Sequence, residues 1–204
     1  MAHAQPSAGY IQAYPPGVRE NGGQYSHAGV WALMAQAQLG HNDAAWRMFK
    51  MISPAHRWRN ADQAAAYGLE PYAVAGDIYS QPPYLGRGGW SWYTGAAGWL
   101  HRAAIESIVG LQLRGDRVCF SPCLPSHWPL ITVTLRRGAC MHEFTLCAAD
   151  HASGIDEAMR RGAVPMPVDA WRLLPAGPAL QRHLLIVPAP IRHSALAELA
   201  PLDR

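Results

Sequence analysis

The chain has 204 residues, 50% of them hydrophobic and only 15% charged, with a formal net charge of +3. A charged fraction this far below the usual quarter, with eight tryptophans, excludes a disordered chain. The arginines are dispersed and form no basic run, which excludes a protein that tracks a nucleic-acid backbone.

Met1 to Ala8 lacks the apolar stretch of a signal peptide, and Met1 to Gly9 reads as a frayed end. Tyr10 to Ala13 reads as a short extended piece, followed by turns at Tyr14-Pro15-Pro16-Gly17 and Asn21-Gly22-Gly23. A helix is expected from Ser26 to Leu39, with Val30, Leu33, Met34 and Ala37 on its buried face and Gly40 as its stop. Asn42 is expected to cap the next helix, which runs to Ile52 and buries Ala45, Trp46, Phe49 and Ile52. Ser53-Pro54 ends it, and residues 55–69 read as polar and irregular. Glu70 to Tyr79 reads as a third helix, with Pro71 at its first turn, and Ser80 to Gly89 as a loop. A fourth helix spans Thr94 to Val109, with Trp99, Leu100, Ala104, Ile105 and Ile108 on a broad apolar face.

The period changes to two near Gly110. Strands are expected at Leu111–Leu113, Arg117–Ser121, Ile131–Arg136, Met141–Cys147 and His183–Val187, with turns at Gly115-Asp116 and Arg137-Gly138. Residues 148–179 show no firm period, and a tail follows from Pro188. Cys119, Cys123, Cys140 and Cys147 form no Cys-x-x-Cys pair, so buried free thiols are expected and no metal site. No segment has the 18 or more apolar residues of a membrane helix, and a cytoplasmic location is the default expectation. Four helices and a short β unit make an awkward core, so the chain reads as the end of a larger protein.

Two glycine-rich loops stand out, and each runs straight into a helix. One is Tyr-Pro-Pro-Gly-Val-Arg-Glu-Asn-Gly-Gly-Gln-Tyr-Ser-His at 14–27; the other is Gly-Arg-Gly-Gly-Trp-Ser-Trp-Tyr-Thr-Gly at 86–95. Helix starts present unpaired N–H groups and a positive dipole end, which suits an anion. With Arg19, His27, Arg87 and Thr94 beside them, two converging starts would hold a phosphate, and the tryptophans and tyrosines offer flat faces to a sugar.

These two loops, with Glu70-Pro71-Tyr72, Asp77-Ile78-Tyr79 and Pro122-Cys123-Leu124-Pro125 before Trp128, resemble the glycoside hydrolase family 94 phosphorylases. The similarity extends to the C-terminal regions of cyclic β-1,2-glucan synthases and β-1,2-oligoglucan phosphorylases. The motifs occur in order across residues 9–147, while 148–204 match poorly.

The resemblance implies an α+β chain: the C-terminal portion of an (α/α)6 barrel over 9–110, then a small antiparallel β domain with an irregular tail over 111–204. It implies inverting phosphorolysis of a β-glucan, most simply a β-1,2-glucan, with inorganic phosphate as co-substrate and no other cofactor. His27, Thr94 and Gly95 are the implied phosphate-binding residues; Tyr14, Arg19, Glu20, Trp90 and Trp92 are the implied substrate-binding ones. The general acid of such enzymes lies in an Asp-Trp-Asn-Asp type motif upstream, and these 204 residues contain none. No catalytic residue is therefore assigned, and the chain is expected to be inactive alone. The expected partner is the other barrel portion on a separate chain, or a second copy, and a larger synthase would place it at the inner face of a membrane.

Each residue also has a plainer reading. His27 alone would be a helix-start residue satisfied by backbone, and Thr94 an ordinary cap. Arg87 would pair with a loop carboxylate, Asp77 with an arginine, and Glu70 would hold its loop. Trp90 and Trp92 are read as core or sugar platform at even odds. The alternative for the whole chain is a non-catalytic carbohydrate-binding or structural remnant.

Overall fold

A computed structural model describes residues 3–92, 94–175, 177 and 179–189, with Thr94 described in its backbone only. The chain mixes helix and sheet and divides into two compact units, Met1–Gln36 with Ala44–Ala104, and Ala37–Asp43 with Ile105 onward. The expected tail from Pro188 lies, from residue 190, outside the described residues.

In the first unit, 3-10 turns at Gly9–Ala13 and Arg19–Asn21 lead to strand β1 (Gln24–Tyr25). The first of these replaces the expected extended piece: Gln12 Oε1 accepts from Ser7 and from the Ala8 N–H, which draws the chain into a turn. Helix α1 (Ser26–Gln38) buries Val30 and Leu33 completely. Helix α2 (Asn42–Ile52) buries Ala45 and Ile52. Gly29 of α1 lets the helices close up, since a Cβ there would lie 3.1 Å from Ile52 Cδ1. Asn42 is not a cap but the first residue of α2; its side-chain amide instead donates to Leu124 O at 2.7 Å.

The third helix is not where the pattern put it. It is α3 (Ala61–Tyr67), begun by Asn60, whose side chain accepts from the Gln63 N–H at 2.9 Å, and closed by Gly68 at φ 66°. Residues 70–79 are instead an exposed turn at Pro71-Tyr72, a buried run from Ala73 and strand β2 (Asp77–Ile78). Tyr67 explains the change. Its hydroxyl donates to Ala73 O at 2.7 Å and accepts from the Ala75 N–H at 3.1 Å, taking the groups a helix there would need. Strand β3 (Gly88–Gly89) then completes a three-stranded antiparallel sheet in the order β1-β2-β3. Helix α4 (Thr94–Arg102) continues into a π-helical turn at Ala103–Ile108 rather than as one regular helix.

The second unit holds β4 (Leu111–Arg114), β5 (Arg117–Phe120), β6 (Leu130–Arg137), β7 (Cys140–Ala148), α5 (Ala152–Arg160), β8 (Val164–Pro165), β9 (Arg172–Leu173) and β10 (Leu180–Val187). They form sheets β4-β5-β9 and β6-β7-β10-β8. The second sheet is mixed rather than antiparallel: β10 runs parallel to both β7 and β8. Parallel neighbours need a crossover, and the connection from β7 to β10 contains α5, in the stretch that showed no period.

Period two along β7 sorts the core. Phe144 and Leu146 join Val118, Phe120, Leu124 and Leu185, with Phe120 and Phe144 rings 4.9 Å apart, while Cys147 packs with Ala158 of α5, Ala163 and Leu184. All four cysteines are free and buried, as expected. Among the described residues no helix is long and apolar enough to cross a membrane.

Candidate functional site

The small sheet of the first unit sets the geometry. β1 and β3 each pair antiparallel with β2, so they run in the same direction. β1 feeds α1 directly at Ser26, and β3 leads through Trp90 to α4 at Thr94. Two helix N-termini therefore leave one ribbon from the same end. Gly76 ties the exits together: its carbonyl accepts from the Ser26 N–H, and its N–H is shared by the carbonyls of Gly89 and Trp90, each at 2.9 Å. A Cβ at Gly76 would press on Trp90 at 3.1 Å, so glycine permits the tie.

The structure brings His27 beside Gly95: the imidazole Nδ1 is 3.9 Å from where a Gly95 Cβ would stand. Nothing is described of the Thr94 side chain. The His27 ring meets Trp31 edge-on at 4.7 Å and lies 6.0 Å from Trp99, so it is held on two sides. Among the described residues, neither its buried Nε2 nor the buried Ser26 Oγ has a hydrogen-bond partner. Buried polar atoms are normally paired, so each such atom asks for a ligand or another explanation.

Arg19 sits at φ 49° in the first glycine-rich loop, and its guanidinium lies 4.7 Å over the Trp90 ring and 5.9 Å from that of Tyr25. Its Nε is also buried, with no partner among the described residues. Its backbone N–H donates to Asp77 Oδ2 at 2.8 Å. Asp77 is fully buried, and its other oxygen has no partner among the described residues. Burial pushes its carboxyl above the usual carboxylate range, against the Arg19 N–H and the Arg19 charge, which favour the ionised form. Gly23 and Gly89 bracket it, since a Cβ at either would come within 3 Å of an Asp77 oxygen.

The remaining expected residues are placed as follows. Glu20 is exposed in the Arg19–Asn21 turn. Tyr14 packs edge-on against Tyr10, and its carbonyl accepts from Asn21 Nδ2 at 2.9 Å, which fixes it to the same loop. Trp90 and Trp92 are 46% and 68% exposed, so the described structure does not bury them as core. Both hold positive φ, 58° and 65°. Three of the four non-glycine residues with positive φ among those described are thus Arg19, Trp90 and Trp92. Such strain is kept where surrounding structure over-determines it, and it gathers at functional sites. Arg87, expected beside a carboxylate, instead lies over the Tyr84 ring at 5.7 Å.

Ser26, Gly76 and the centrality of Asp77 were not read as site features in the sequence. A lone charge inside the apolar run Ala73-Val74-Ala75-Gly76-Asp77-Ile78 was the available signal.

Residues 1–110 match the glycosyl hydrolase 94 superfamily, catalytic domain. The chain is 47% identical over 146 residues to cyclic beta-(1,2)-glucan synthase NdvB of Rhizobium meliloti, covering 72% of this chain and 5% of that protein. It is 30% identical over 171 residues to N,N'-diacetylchitobiose phosphorylase of Vibrio furnissii, covering 83% and 21%. It is 29% identical over 121 residues to 1,2-beta-oligoglucan phosphorylase of Listeria innocua, covering 52% and 11%. The aligned part is thus no more than about a fifth of any of these relatives.

Proposed function

The chain belongs to the glycosyl hydrolase 94 superfamily, and from that we propose that it supplies the phosphate-facing side of an inverting phosphorolysis site for β-glucans. His27, Thr94 and Gly95 receive inorganic phosphate at the paired helix starts, and Tyr14, Arg19, Glu20, Trp90 and Trp92 face the sugar. The glucan is β-1,2-linked, in keeping with the names of two relatives. Residues 9–110 are part of an (α/α)6 barrel, and 111–204 a C-terminal β domain. The protein works on the cytoplasmic side, or at the inner membrane face within a larger synthase. The other barrel portion is its partner, on another chain or in a second copy.

The chemistry is a single displacement. A phosphate oxygen forms a bond to the anomeric carbon as the glycosidic C–O bond breaks. The proton for the leaving oxygen comes from a carboxylic acid outside these residues. This chain's residues hold and orient the nucleophile. The His27 imidazole donates an N–H, and the helix starts add backbone N–H groups that hold the phosphate as it approaches the anomeric carbon. The observation that supports the reading is His27 itself: its Nδ1 faces Gly95, and its Nε2 is buried with no hydrogen-bond partner among the described residues.

Calorimetric titration with inorganic phosphate tests it. His27→Ala is expected to weaken binding by about tenfold or more, the scale of a lost hydrogen bond to a charged group of about 1.5–3 kcal/mol. Equal phosphate affinity in His27→Ala and the wild type would remove the reading.

A further inference from the structure

A cleft of about 410 Å³ opens within the first unit, between the residues that follow α3 and those that enter α4. Trp58, Leu69, Glu70, Tyr72, Ser91 and Trp92 line it. Trp58 is 43% exposed, Tyr72 70% and Trp92 68%. Scattered exposed aromatics are ordinary, but three on one cleft beside a carboxylate mark a binding surface. The cleft shares no residue with Arg19, Ser26, His27 or Gly95.

Its rings are preset. The Trp58 indole N–H donates to Leu69 O at 2.7 Å, which fixes that ring. Trp92 is held out at φ 65° instead of folding back into the unit. Tyr72 meets it edge-on, with centroids 6.2 Å apart and planes at 62°. Rings fixed before binding lose little rotamer freedom when a ligand arrives.

The chemistry narrows the occupant. Glu70 and Ser91 add a carboxylate and a hydroxyl to the lining. A pyranose has an apolar C–H face for the aromatic rings and a rim of hydroxyls for the carboxylate to accept from. An anion would be repelled by Glu70, and a purely apolar ligand would leave that charge desolvated and unpaired. The volume lies within the range of about 300–1,000 Å³ typical of small-molecule sites.

We propose that the Trp58–Tyr72–Trp92 cleft is a saccharide subsite holding a glucosyl residue of a β-glucan oligosaccharide, separate from the residues that receive phosphate. The choice of a glucan rests on the proposed function; the aromatic cleft does not.

The test is titration of the full chain with β-1,2-linked glucotriose and, separately, with inorganic phosphate, by calorimetry and tryptophan fluorescence. The variants are Tyr72→Ala, Trp92→Gly (suited to the left-handed backbone), Glu70→Gln and His27→Ala, with circular dichroism as the check on folding. Saturable trisaccharide binding is expected, weakened by about tenfold or more in Tyr72→Ala and Trp92→Gly and by a smaller factor in Glu70→Gln. Phosphate affinity should be unchanged in these three, and trisaccharide affinity unchanged in His27→Ala. Wild-type chain that binds no trisaccharide, or variants at Tyr72 and Trp92 that bind it as the wild type does, would overturn the subsite. Trisaccharide binding lost on substitution at Tyr72, in a chain that binds no phosphate, would support the subsite and remove the phosphate reading alone.

Discussion

Asp77 shows how much rests on one side chain. It takes the Arg19 N–H, fills the space left by Gly23 and Gly89, and keeps one oxygen unpartnered. Asp77→Ala leaves that N–H without its acceptor and is expected to cost about 1–3 kcal/mol in chemical denaturation, while Asp77→Asn, which keeps an acceptor, costs less. The histidines of the second unit act through protons. His142 Nδ1 lies 3.3 Å from His183 Nε2, and His142 is fully buried. Burial lowers both pKa values, with the Arg137 charge adding at His142 and His142 itself adding at His183. Below the ordinary imidazole value of about 6.5 the unfolded chain takes up protons that the folded chain refuses, so stability rises with pH there and flattens above it. Urea midpoints measured from pH 7.5 to 5 should fall as pH falls, and His142→Phe should reduce that slope.

At the scale of elements, the glycines decide which segments can meet. Gly23 follows the Arg19 turn, and a Cβ there would stand 2.6 Å from Arg19 N and 2.9 Å from Asp77 Oδ2. Because backbone cannot step aside as a flexible side chain can, Gly23→Ala is expected to cost about 1–3 kcal/mol and to loosen phosphate binding. The cap of α3 gives a smaller effect: Asn60→Ala should lower stability by about 1 kcal/mol, read from the thermal midpoint, without touching phosphate affinity. Helices whose apolar spacing was continuous, α1 and α2, formed where the sequence put them. The third did not, because the choice between 61–67 and 70–79 turned on Tyr67 reaching Ala73 and Ala75 across six and eight residues, a contact that no local period encodes. The parallel partner of β7 was missed for the same reason, since Leu180–Val187 finds it across an intervening helix and two short strands.

For the molecule as a whole, the proposed division of labour between nucleophile and acid makes a sharp prediction. The 204 residues contain no Asp-Trp-Asn-Asp type motif, so incubation with β-1,2-glucan and phosphate should release no glucose-1-phosphate. An acid–base contribution worth about 10²–10⁴-fold is absent from such a reaction. Turnover by this chain alone would mean that one of its own carboxyl groups serves as the acid. The two glycine-rich loops were legible because glycine, arginine and tryptophan in a fixed order are a local property. Their common origin on one ribbon was not, since it depends on β2 pairing with both β1 and β3.

The sequence alone determined the family, the residues of both loops, the five longer strands and the buried thiols, because composition, period and short motifs are carried by neighbours along the chain. Only the tertiary structure decided that His27 stands beside Gly95, that Asp77 holds the arginine turn, and that Trp58, Tyr72 and Trp92 share one cleft. Those residues stand about 14 to 68 positions apart in the chain, and pairing of backbone polar groups, not local preference, brings them together.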